Sequence, residues 1–313
     1  MAKSKTVKES KLFTKDFKNR FVKYRQLYLL IIPALVSVFI FHYIPIYGVQ
    51  IAFKDFSSSR GIWGSEWVGF EHFIRFFEYK GFWDIIWNTL SISLYGLALF
   101  PLGVIFALML NEVRYLKLKK AVQMITYAPH FVSTVIVCSL VKILLARSNG
   151  VYNNMLEMIG LDRIDFLASS KLFSSIFVWS SEWTNLGWST IIFISALAAV
   201  SPDLQESAQI DGASRWDIIW HINVPTILPT IMIMLILKSG NLMSVGFEKI
   251  FLLQNPLNLE ASTVLSTYVY DIGIVGGQFS YSTAIGLFNN VVELILVLIV
   301  NQISKKLTNT SMW

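Results

Sequence analysis

Charge is scarce in this sequence. Asp, Glu, Lys and Arg make up 15% of its 313 residues, where a soluble domain carries about a quarter. With 54% apolar residues and a mean hydropathy of +0.56, a water-covered globule is excluded and an integral membrane protein is indicated. Cysteine is nearly absent. Cys138 stands alone inside an apolar run, so neither a disulfide nor a cysteine-rich metal site can form within the chain. The four histidines, His42, His72, His130 and His221, show no ligand spacing; they read as helix-end or interface residues, and no metal site is expected. There is no G-x-x-x-x-G-K-[ST], no HExxH and no nucleophile elbow, which removes a nucleotide site and any catalytic residue from the expectation. The formal charge of +6 does not indicate nucleic acid, because nine of the 26 basic residues crowd the first 25 positions instead of lining a groove.

Long apolar runs are what the chain does have. Spanning a bilayer takes about 20 such residues, and six runs qualify, near 27–49, 88–110, 124–145, 173–200, 226–246 and 282–303. The first is too long for a signal-peptide core and is kept as a true span. Lys and Arg number 16 in the N-tail, the 111–123 and 201–225 loops and the C-tail, against 8 in the alternate segments, so both termini face the cytoplasm. The fold class is therefore an all-α integral membrane protein with six transmembrane helices. The domain reading is a basic cytoplasmic tail over 1–26, either mobile or lying on anionic lipid, a membrane domain over 27–307 and a C-terminal tail over 308–313. "IWGSEWVGFEHFIRFFEYKGFWDIIWNT" (62–89) reads as an interfacial amphipathic helix rich in Trp and Phe, or more simply as an aromatic belt at the headgroup level.

The 201–225 loop is cytoplasmic by topology yet carries four acids against Arg215. Ser201-Pro202 is a helix start, with Ser as N-cap and Pro at the first helical position. That helix should end at Gly212, and Ser214 with Asp217 should begin a second one. The second helix would place Trp216, Ile219, Trp220 and Asn223 along one side. A solvated connector needs none of these apolar residues, and a helix seeking only lipid prefers basic flanks. Docking into a cytoplasmic partner is the reading left.

The loop resembles the "EAA" loop of permease subunits of ATP-binding-cassette importers. Glu206-Ser207-Ala208, Asp211-Gly212-Ala213, Ile222 and Val224-Pro225 follow its pattern; Ser207 and Val224 replace an Ala and a Leu. "FHYIPIYGVQIAFKDF" (41–56), "WVGFEHFIRFF" (67–77), "VGFEKIFLLQNPL" (245–257) and 279–307 extend the resemblance to the oligosaccharide and polysaccharide-fragment branch of the maltose-type, binding-protein-dependent permeases. It implies a type I ABC importer permease fold in a bacterial cell membrane. It also implies a coupling helix around 206–212, with Arg215 and Trp216 beside it, seated on an ATPase. The implied partners are a second and different permease chain, two ATPase subunits that bind ATP and Mg, an extracytoplasmic solute-binding protein and the oligosaccharide. No cofactor belongs to this chain itself.

Glu182, Lys238 and Glu293 fall near the centres of their spans, where an isolated charge costs roughly 2.5–3.5 kcal/mol or more. Asn185, Asn241, Asn289 and Asn290 lie within about two turns of them. In "WSSEWTNLGW" (179–188) Trp179, Trp183 and Trp188 interleave with Glu182, combining aromatic faces for sugar C–H groups with amides and a carboxylate for hydroxyls. Two readings stay open: these groups line a substrate path, or Lys238 pairs with Glu182 or Glu293 and fixes packing. An ion-coupled secondary sugar transporter is the alternative function, though the repeat symmetry of such folds is not evident and the acidic loop would go unexplained.

Overall fold

The computed structural model describes residues 23–308. The basic tail before Lys23 and the last five residues lie outside them. The chain folds as two compact units, one ending at Gly69 and one starting at Phe70.

In the first unit, α1 (Arg25–Phe53) is a long apolar helix with a π turn at Phe39–Tyr43 and a 3₁₀ end at Tyr47–Phe53. Strands β1 (Lys54–Asp55) and β2 (Glu66–Trp67) pair antiparallel after it. Arg60 bridges Asp55 at 3.5 Å and Glu66 at 3.7 Å across this hairpin. The single interfacial helix expected over 62–89 is not formed. The segment is broken into a short turn at Gly61–Gly64, the strand, the helix α2 (Glu71–Phe77) and the start of α3 at Phe82. Gly69 explains part of this, since its φ of +63° cannot continue a right-handed helix.

The second unit carries the remaining apolar runs. They are α3 (Phe82–Glu112), α4 (Leu116–Phe131) with α5 (Thr134–Leu145), α6 (Ser170–Leu197) with α7 (Pro202–Ile210), α8 (Arg215–Ile218) leading into α9 (Val224–Ser239), and α12 (Phe279–Thr308). Between the last two lie α10 (Phe247–Leu253) and α11 (Leu265–Tyr270). With α1, four continuous helices among the described residues are long and apolar enough to cross a membrane, and six when each bent pair counts as one crossing. The third run is not straight: α4 and α5 meet at 101°. Pro129 has no amide to extend α4, Val132 is extended, and the Ser133 hydroxyl accepts from the Ile136 amide to start α5. The fifth run ends at Ser239, so residues 240–246 form a turn outside the helix.

The core positions the site. Phe177 and Val178 of α6 pack with Cys138 of α5 and with Val245, Ile250 and Leu253 around α10. Phe76 of α2 is buried against the rings of Phe82, Tyr268 and Tyr281. Gly187 lets α6 lie on α4: a Cβ there would strike the Thr126 carbonyl oxygen.

Candidate functional site

The loop after α6 turns by 75° into α7. Pro202 occupies the first turn of α7, while Ser201 caps by position alone, without a side-chain hydrogen bond. No residue of α7 is buried. Its end is a Schellman closure: Gly212 takes a φ of +86°, its amide donates to the Gln209 carbonyl at 3.1 Å, and the Ala213 amide donates to Ala208 at 2.9 Å. The E-S-A and D-G-A triplets are thus joined by a backbone hydrogen bond. Ser214 then opens α8 with a capping box. Its hydroxyl and amide hold the Asp217 carboxyl below the usual carboxylate range. Gln205 donates to the buried Asn223 at 2.9 Å, tying α7 to the π turn at Ile219–Asn223. That π turn corrects one expectation. Trp216 and Trp220 are exposed while Ile219 and Asn223 are buried, because the inserted residue rotates the apolar stripe and divides it.

The second feature is a cavity of about 640 Å³ between α3, α6, α9 and α10, with largely apolar walls such as Phe100, Phe177 and Val178, into which Glu182, Asn185, Lys238, Asn241 and Lys249 bring polar groups. A lobe of about 380 Å³ shares Ser181, Asn185, Gly246 and Lys249 with it. His130 stacks on Trp188 with centroids 4.5 Å apart, and its Nδ1 lies 3.2 Å from the Asn185 amide oxygen.

Residues 99–308 match the family described as binding-protein-dependent transport system inner membrane component. The chain belongs to that family. It is 42% identical over 300 residues to the polygalacturonan/rhamnogalacturonan transport system permease protein YteP of Bacillus subtilis (strain 168), covering 94% of each chain. It is 44% identical over 281 residues to protein LplB of the same organism, covering 90% of this chain and 88% of that one. A bacterial alginate ABC transporter, crystallised with an alginate pentasaccharide-bound periplasmic protein, contains a chain that superposes with a TM-score of 0.86 at 40% identity, over 94% of this chain and 99% of that chain. The chain is therefore a multi-pass permease of an importer that works with a binding protein, and a transport component instead of an enzyme.

Within the permease, the expected coupling residues come together. Glu206, Ser207, Asp211, Gly212, Arg215 and Trp216 are exposed, and Ala208 and Ala213 are half-buried beneath them. The expected path residues separate into three places. Glu182, Asn185, Lys238 and Asn241 line the central cavity. Trp179 and Trp183 face a different, apolar groove beside Leu140 and Leu144, and Trp179 donates to the Tyr95 hydroxyl at 2.8 Å. Asn289 and Asn290 line a third cavity with Phe247 and Tyr270. Glu293 lines none of these cavities, and one of its carboxyl oxygens and the Asn289 side-chain amide oxygen are buried without a hydrogen-bond partner. Among the described residues no ion pair within 4 Å joins Lys238 to Glu182 or Glu293. Lys249 and Ser181 were missed. The 247–281 stretch reads as a connection between spans, yet Phe247, Ile250, Phe251 and Leu253 repeat at helical spacing and carry Lys249 into the core.

Proposed function

We propose that this permease is one membrane half of an ATP-driven importer of oligosaccharides in the bacterial plasma membrane. It would act with a second, different permease chain and two ATPase subunits that supply ATP and Mg. Sugar delivered by the binding protein would enter the central cavity, where Glu182, Asn185, Lys238 and Asn241 offer charged and amide groups to its hydroxyls. The observation that carries the reading is α7: nine residues with no buried side chain, set at 75° to the same helix that presents Glu182 and Asn185. Such a helix is held at its two ends by its own chain and leaves most of its surface open to a partner. The relatives named for polygalacturonan, rhamnogalacturonan and alginate transport support a polysaccharide fragment as the cargo.

The test is reconstitution of the full importer in proteoliposomes with its binding protein. Sugar uptake should require ATP and the loaded binding protein. Glu206→Lys, which reverses a charge at the docking helix, should reduce the ATPase that co-purifies; losing one partner of such a contact costs about 2–5 kcal/mol. Uptake driven by an ion gradient without ATP would overturn the reading.

A further inference from the structure

We infer that Lys249, with Lys238 lining the same cavity, receives the carboxylate of an acidic sugar, so that this permease passes uronate-containing oligosaccharides in preference to neutral ones. This rests on the importer reading above and names the chemical class of its cargo.

Lys249 is 9% exposed. Its ammonium donates to the Ser181 hydroxyl at 2.7 Å and to the Phe177 carbonyl at 3.3 Å, and it lies 5.2 Å from the Phe177 ring centroid. Those partners orient the charge without neutralising it. Among the described residues no carboxylate lies within 4 Å of it. An ammonium has three protons to donate, and two are accounted for. A cation withdrawn from water is costly unless paired, so what occupies the cavity is the natural source of the missing anion.

The charges facing the cavity agree. Lys238 and Lys249 line it against Glu182 alone, an excess of one positive charge. Glu248 is exposed and faces the smaller lobe together with His130. Lys238 lies 5.7 Å from the Phe100 ring centroid, and among the described residues no carboxylate is within 4 Å of it. The space of about 640 Å³ exceeds what a lone inorganic anion needs and falls in the range of a ligand of several rings. Asn185, Asn241 and Ser181 supply donors and acceptors for hydroxyl groups around the two cations. Hydroxyls plus one carboxylate describe a uronate. A charge-assisted hydrogen bond to that carboxylate is roughly twice as strong as a neutral one, which makes the lysine a reader of charge as well as of shape.

The experiment compares trigalacturonate with its trimethyl ester, at saturating loaded binding protein, as maximal uptake rates in proteoliposomes. The wild type should favour the acid. Lys249→Gln should lower the acid-to-ester ratio about tenfold, while Lys249→Arg keeps it. Because the binding protein is the same throughout, a changed ratio belongs to the permease. If Lys249→Gln lowers both rates equally, or if its complex cannot be purified and Lys249→Arg also loses the ratio, Lys249 is structural and the inference is overturned. A wild type indifferent to esterification overturns it as well. Absence of ATP-dependent uptake of any sugar is a separate result, which removes the importer reading and this inference with it.

Discussion

Lys238 and Glu182 share a cavity without touching, and that decides how each should respond to substitution. Breaking a buried ion pair costs about 3–5 kcal/mol because a charge is left uncompensated. Lys238 is exposed to the cavity and has no carboxylate within 4 Å among the described residues. Lys238→Met should therefore leave the thermal unfolding of the complex within about 1 kcal/mol of wild type, and lower sugar uptake. A large loss of stability without change in uptake would instead favour the packing role. Trp183 provides the contrast. It faces the apolar groove on another side of α6, so Trp183→Ala should leave the discrimination between sugars unchanged in the same uptake assay. The tryptophans and Glu182 are adjacent in sequence, and sequence adjacency suggested a shared purpose. Helical phase separates them, since neighbouring positions on a helix stand about 100° apart.

At the scale of the element, α7 and its closure carry the sharpest expectation. The space around Gly212 is open, so only its backbone angle demands glycine. Gly212→Val should strain the turn by roughly 1–3 kcal/mol and misaim α7 relative to α8. The complex should insert and retain its ATPase at least in part, with fewer sugars imported per ATP hydrolysed. An unchanged ratio would make Gly212 a passive cap. This element was readable from sequence because its signals are local: Pro202 at a helix start, Gly212 at an end, and Ser214 three residues before Asp217. The break between α4 and α5 also has local signals in Pro129 and Ser133, but the apolar run continues across them and hides the corner. The π turn at Ile219–Asn223 leaves no such mark; the Gln205–Asn223 hydrogen bond that accompanies it joins residues 18 positions apart. The burial of Lys249 is of the same kind, since it depends on Phe177 and Ser181 from a helix about 70 residues earlier.

For the whole molecule, the bias of Lys and Arg toward alternate segments sets the orientation, and the near-absence of cysteine makes it measurable. Cys138 is buried, with its sulfur 3.9 Å from the Lys249 carbonyl oxygen. Cys138→Ala should cost about 1 kcal/mol and give a cysteine-free background. In that background Asp162→Cys should react with a membrane-impermeant maleimide in intact right-side-out cells, and Lys117→Cys only in inverted vesicles. The opposite pattern would reverse the orientation. The corner between α6 and α7 has a mechanical consequence. The two helices form a bell crank, two arms set at 75° about residues 198–201. The short arm of nine residues measures about 13 Å, and the stretch from Glu182 to Leu197 on the long arm about 22 Å. If the crank pivots as one piece, a swing of about 10° carries Glu182 through about 4 Å, further than a hydrogen bond is long. The gain of such a crank depends on the ratio of its arms. The stroke delivered to the cargo is then fixed by how many residues separate Glu182 from the corner, so the length of that stretch sets the throw of the machine.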